Sequence, residues 1–238
     1  MWLYALLLFF SIVVPMVLSF DKKLHFYTCW KFLFPSLFLV AAFYIAFDVW
    51  FTKLGIWGFN SAYHLPFLWL GLPVEEWLFF IIVPYASIFL HASIVLYFPQ
   101  WKLNHRVSNI ISMVLIVFLL MVVLYHWHQA YTVYSFSLVI VVLILSLLDQ
   151  TQVIDRFYLT FLVILIPFIL VNAALTGSFM HHQEVWYDNR ENLGIRFMTI
   201  PIEDFGYAFS LILFNLLLTI ILHKKASQRV GSTSSLCL

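Results

Sequence analysis

The sequence predicts an all-α integral membrane protein, with seven transmembrane helices arranged as two parallel three-helix repeats joined by one connecting helix. Three observations predict it. Of 238 residues, 64% are hydrophobic and only 10% charged, whereas a soluble domain is nearer half apolar and a quarter charged. Seven apolar runs are long enough to cross a hydrocarbon core, which takes about 20 residues each. Finally, an acidic motif, Pro73-Val74-Glu75-Glu76-Trp77, returns as Pro201-Ile202-Glu203-Asp204-Phe205, each copy opening an apolar run.

The runs cover residues 2–20, 32–51, 73–98, 107–125, 131–148, 157–176 and 200–222. The first lacks a basic stretch before it and a small-residue cleavage site, and Lys22 and Lys23 follow it, so it reads as a retained helix. Runs three and seven start with proline and acids. Proline has no N–H to waste in a first turn, and carboxylates complement the positive end of the helix dipole. Leu54-Gly55 and Leu175-Thr176-Gly177 close runs two and six. Nine of the twelve Lys and Arg fall on one side of this arrangement, with only Lys53, Arg190 and Arg196 on the other. The positive-inside rule makes the nine-residue side cytoplasmic. The chain is expected in the cell membrane, N-terminus outside and C-terminus inside, with both acidic motifs at the outer face.

Glu75 and Glu203 lie 128 positions apart (203 minus 75). Other echoes accompany them: Trp57, Gly58, Phe59 and Asn60 match Trp186, Tyr187, Asp188 and Asn189, and Asp48 near the end of one run matches Asn172 near the end of another. The expected organisation is therefore a first repeat over residues 1–98, a connecting helix within 99–130, a second repeat over 131–223 and a disordered tail over 224–238. A three-helix unit ends opposite its start and the connecting helix carries the chain back, so the repeats are parallel rather than inverted. Both acidic pairs then meet at one face and can line one cavity.

Carboxylates at membrane helices are costly and point to proton chemistry. Glu75 and Glu203 are the candidate acid and base, with Glu76 and Asp204 as tuning or relay partners. Trp77, Phe79, Phe205 and Tyr207, within a turn of the motifs, are candidates to face inward, where π faces stabilise a positive charge; most other outer tryptophans read as an interfacial belt. Asp48 and Asn172 read as hydrogen-bonding partners of the acids or as interhelical contacts, and His91 and Asn215 as structural. No metal site is expected: His181 and His182 are adjacent rather than one helical turn apart, and Cys29 and Cys237 are too few for a thiolate site or a disulfide framework. A net charge of +1 gives no electrostatic case for nucleic acid.

Paired Pro-x-Glu-(Glu/Asp) motifs, each after a Trp-containing stretch in a polytopic chain, resemble the membrane-integral lycopene cyclases, which occur as two small subunits or as one fused chain. The resemblance spans about residues 1–223 and implies the fused form, with the family's acidic motif falling on Glu75 and Glu76 and on Glu203 and Asp204. It implies a lycopene β-cyclase: a proton is added to a terminal alkene of an acyclic ψ-end, the ring closes through a carbocation, and a different proton leaves. No cofactor is implied. The expected partner is a C40 carotenoid arriving from the bilayer, and contacts with other carotenoid enzymes are compatible with this. A carotenoid hydratase would begin from the same cation. A seven-helix binding or transport protein is the non-enzymatic alternative, although the last run lacks the lysine that a retinal Schiff base needs.

Overall fold

The computed structural model describes residues 2–179 and 183–230. Each apolar run forms a helix, since a backbone in hydrocarbon must satisfy its own polar groups. The helices are α1 (Leu3–Leu18), α2 (Trp30–Leu54), α3 (Val74–Tyr97), α4 (His105–Tyr125), α5 (Ala130–Leu148), α6 (Ile154–Leu175) and α7 (Ile202–Val230). From α2 onward, six are long and apolar enough to cross a membrane, which makes the chain a multi-pass membrane protein. The first differs from expectation. Residues 2–20 form a helix of only 16 residues, about 24 Å at 1.5 Å per residue, short of a core of about 30 Å. Ser19 and Phe20 leave the helix for a turn in which the Asp21 carboxylate accepts the Lys23 and Leu24 N–H groups.

The end of the chain differs too. Helix α7 continues through the expected tail as far as Val230, and residues 231–238 lie outside the described residues, as do His181 and His182. Lys224 meets Asp149 at 3.6 Å, tying this extension to the end of α5.

Gly55 closes α2 at φ 73°, and Gly177 turns the chain after α6 at φ 96°. Each outer loop then adds structure that periodicity did not announce. In the first, β1 (Trp57–Phe59) is followed by a hairpin of β2 (Leu68–Trp69) and β3 (Leu72–Pro73); in the second, β4 (Val185–Tyr187) is followed by β5 (Arg196–Phe197) and β6 (Ile200–Pro201). The hairpins are copies, Leu68 opposite Pro73 and Arg196 opposite Pro201, with Leu70 and Met198 both at positive φ. The strands and the positive-φ residues Leu70 and Met198 recur 128 positions apart (196 minus 68), whereas the two closing glycines lie 122 apart (177 minus 55).

Strands β1 and β4 pair antiparallel with each other, centred on Gly58 opposite Trp186. Asn60 N–H donates to Glu184 O and Asp188 N–H to Ile56 O, both at 2.8 Å. By the 128-residue recurrence Trp57 corresponds in the repeat to Val185 and Phe59 to Tyr187, one position away from the match of Trp57 with Trp186 read from the sequence. Gly58 has a physical reason to be glycine: a Cβ there would lie 2.5 Å from the Trp186 ring.

Helix α1 packs on α3 as α5 packs on α7, while α2 packs on α7 and α3 on α6. The main core lies where α3, α5, α6 and α7 meet, around Phe157, Ile164, Leu213 and Leu216. Buried polar pairs lock these contacts: His91 Nδ1 lies 2.7 Å from Thr160 Oγ1, and Ser36 donates to Asn215 O at 2.9 Å.

Candidate active site

The hairpins end where α3 and α7 begin, so four acids enter the bundle on two first turns. Helical geometry then separates neighbours by about 100°. On α3, Glu76, Phe79 and Val83 share one face; on α7, Asp204, Tyr207, Ala208 and Leu211 do. These two faces line one cavity of about 70 Å³, to which α2 adds Asp48 and α6 adds Asn172.

Glu75 and Glu203 are buried, at 1% and 0% exposure, but do not line that cavity. Each turns back to its own outer loop. Glu75 Oε1 accepts the Leu65 N–H at 2.7 Å, and Glu203 Oε1 accepts the Leu193 N–H at 2.7 Å, both partners ten residues upstream. Thr132 Oγ1 also donates to Glu203 at 2.7 Å. These carboxyl groups clamp the loops against the helix starts.

The cavity acids are held by aromatic donors. Tyr4 on α1 donates to Glu76 Oε2 at 2.5 Å. Tyr131 on α5 donates to Asp204 Oδ1, and Tyr187 on β4 to Asp204 Oδ2 at 3.0 Å. Burial, and then the charge of Asp204, keep the Tyr187 phenol above its ordinary range, which suits a donor. The Trp57 indole donates to Asp48 Oδ1 at 2.6 Å, while Asp48 Oδ2 is buried with no hydrogen-bond partner among the described residues.

Of the aromatic candidates, Phe79 and Tyr207 line the cavity and Trp77 and Phe205 do not. The reason is again the helical step. Trp77 and Phe205 each follow a cavity acid by one residue, which swings Trp77 onto Trp69 at 4.1 Å between ring centres and Phe205 onto Phe168 at 5.5 Å. Asp48 and Asn172 both reach the cavity wall, Asn172 with its amide donating to Phe168 O at 3.1 Å.

Sequence reasoning did not single out Tyr4, Tyr131 or Tyr187 as partners of the acids, nor Glu184. Glu184 precedes β4, is fully buried, and neither of its carboxyl oxygens has a hydrogen-bond partner among the described residues. Burial first, then the charge of Glu75, push its carboxyl up to about 8.

The remaining lining is aromatic and aliphatic, including Trp57, Phe59, Phe168, Leu175 and Val185, with no Lys, Arg or His among the described residues there. Three carboxyl groups thus line a largely apolar space with no basic side chain in its described lining. Such a site suits proton delivery to, and removal from, an apolar molecule.

A lycopene cyclase family model matches residues 1–94 and 128–222. No curated protein and no solved structure matches the chain. The two matched stretches begin 127 and end 128 positions apart (128 minus 1, 222 minus 94), the spacing of the structural recurrences, and each contains one acidic motif. Together they cover most of the chain, which belongs to the lycopene cyclase family, enzymes of carotenoid cyclisation.

Proposed function

We infer that the protein is a lycopene β-cyclase in which Glu76 and Asp204 carry the proton chemistry. The observation that carries this reading is the convergence of Glu76, Asp204 and Asp48 on one apolar cavity without a basic residue in its described lining. Three uncompensated charges there would be prohibitively expensive, so the group shares protons. Asp204, with two phenol donors, is solvated as an anion and serves as base. Glu76, with one phenol donor, serves as acid.

Glu76 protonates the terminal alkene of the ψ-end. The next double bond closes on the resulting tertiary cation to form the ring, and the charge moves to a ring carbon. Faces of Trp57, Phe79, Tyr131 and Tyr207 around the cavity stabilise that charge through their quadrupoles. Asp204 removes the proton whose loss places the new ring double bond in conjugation with the polyene, giving the β-ring. One proton enters and one leaves, so no redox partner is needed. Return of the proton from Asp204 to Glu76, with Asp48 as the third carboxyl group on the cavity wall, resets the site. Glu75 and Glu203 act as positioning residues.

The helical arrangement consistent with this is two parallel three-helix units, α1–α3 and α5–α7, joined by α4. The N-terminus is outside and the C-terminus cytoplasmic. Recurrence of hairpins, acids and tyrosine partners at nearly constant spacing supports it.

The test is a pigment profile from cells that accumulate lycopene and express this chain. γ- or β-carotene supports the reading. An ε-ring would refute the assigned proton loss, a hydroxylated product would indicate a hydratase, and unchanged lycopene with the protein present in the membrane would reject cyclisation of this substrate.

A further inference from the structure

A second space adjoins the acid cavity. It is a groove of about 290 Å³ between α1, α3 and α6, and it shares Val83, Phe168 and Asn172 with the cavity wall. Its outer rim is formed by Phe10 and Val14, which are 69% and 58% exposed on the bundle surface. Its polar side chains are few. They are Ser11, Ser87 and Asn172; Ser11 donates its hydroxyl to Leu7 O at 2.8 Å and Asn172 its amide to Phe168 O at 3.1 Å.

The second half carries a larger side chain at a corresponding position. By the 128-residue spacing Ala86 on the groove floor matches Phe214. Prolines Pro15 and Pro167 lie on the groove wall; each lacks the N–H of an ordinary helical residue and separates neighbouring turns.

We propose that the groove between α1, α3 and α6 binds the polyene chain of the substrate, leading its end group past Val83, Phe168 and Asn172 into the acid cavity. The proposal rests on the cyclase reading for the identity of the occupant. The argument for that occupant is continuity. A rigid apolar chain whose reactive end lies among the carboxyl groups must leave the cavity somewhere, and this groove shares three wall residues with the cavity and has a rim exposed on the bundle surface. A polar ligand would lose hydrogen bonds to water against such walls, whereas a hydrocarbon has none to lose on entering.

The test uses full-length protein in lipid nanodiscs with two probes, lycopene and a truncated acyclic polyene carrying the same end group. The variants are Ala86→Phe and Val14→Phe, with Val114→Phe, on the exposed face of α4, as control. Filling the groove should raise the KM for lycopene by about tenfold, as overpacking of an apolar site does, with kcat little changed. The truncated probe should be converted as by the parent, and Val114→Phe should match the parent on both. The absorbance shift of bound lycopene should weaken in the two groove variants alone. Parent-like handling of lycopene by both groove variants would overturn the proposal. So would equal loss of both probes by variants that retain native helix content. A parent protein that binds lycopene, loses that binding on Ala86→Phe and yet converts nothing would sink the cyclase reading and leave the groove standing.

Discussion

The two halves of the molecule share a frame and differ in its fittings. Both bring an acid pair in on a helix that follows a two-stranded hairpin, clamp the first acid to a backbone N–H ten residues upstream, and offer the second a tyrosine from the helix two earlier. Yet Phe59 stands where the second half has Tyr187, so Asp204 has two phenol donors recorded and Glu76 one. The first half contributes Asp48 to the cavity and the second the neutral Asn172. A frame used twice would give two equivalent carboxyl groups. A single hydroxyl and a single charge are enough to make them unequal, and acid–base catalysis needs them unequal.

The largest expected effects come from the two cavity acids. Asp204→Asn and Glu76→Gln keep shape and hydrogen bonding but cannot exchange the proton, so each should lower cyclisation by about 10²–10⁴-fold. Product chromatography normalised to protein in the membrane measures this. Glu75→Gln and Glu203→Gln, which keep an acceptor for Leu65 and Leu193, should retain most activity. The opposite pattern, with Glu75→Gln dead and Glu76→Gln active, would break the comparison and return the acid–base role to the first acid of each pair.

Next in size is the change that makes the halves alike. Tyr187→Phe leaves Asp204 with the Tyr131 donor, copying the surroundings of Glu76. A hydrogen bond to a charged group is worth about 1.5–3 kcal/mol, so the turnover rate should fall roughly ten- to a hundredfold while the KM for lycopene stays within about twofold. If instead KM rises and the rate holds, Tyr187 is part of the wall rather than a support for the base.

Smaller still is the loss of a loop clamp. Glu203→Ala removes the acceptor of both Leu193 N–H and Thr132 Oγ1, and stranding buried donors costs about 1–3 kcal/mol. The measurable outcome is a lower melting temperature in detergent, with activity lost only in proportion to the folded fraction. Glu75→Ala strands one donor fewer and should be milder.

How much of this was legible in the sequence follows from the physics of each feature. The long helices were, because about 20 apolar residues admit little else in a bilayer. The acidic motifs were, because they repeat. Which acid of a pair faces the cavity depends on helix rotation, and packing sets that. A signal nonetheless existed: Phe79 and Tyr207 lie three residues after Glu76 and Asp204, so an inward-facing aromatic implied those acids rather than Glu75 and Glu203. Tyr4 and Tyr131 act over more than seventy positions, a distance no local pattern spans. The two-residue strands of the hairpins are too short for alternation to register. The Trp-x-x-Asn echo, displaced by one position, hid the match of Glu184 with Ile56.

That last pair gives the smallest effect on catalysis and the cleanest on stability. Glu184 is buried with its carboxyl pushed up to about 8 from the usual 4.5, where the first half has an isoleucine. A raised carboxyl is protonated in the folded protein at a pH where the unfolded chain is already ionised. The unfolded state therefore holds fewer protons, and stability falls as pH rises through that window. The fall is at most about 1.4 kcal/mol per pH unit, begins near 4.5 and ceases above about 8. Glu184→Gln has no such dependence. The variant should match the parent near pH 4.5 and melt progressively higher than it as pH approaches 8, beyond which the gap stays constant. Parallel melting curves across that range would mean that Glu184 is ionised in the folded protein, stabilised by a positive group. The two halves would then differ by a buried charge instead of a buried acid.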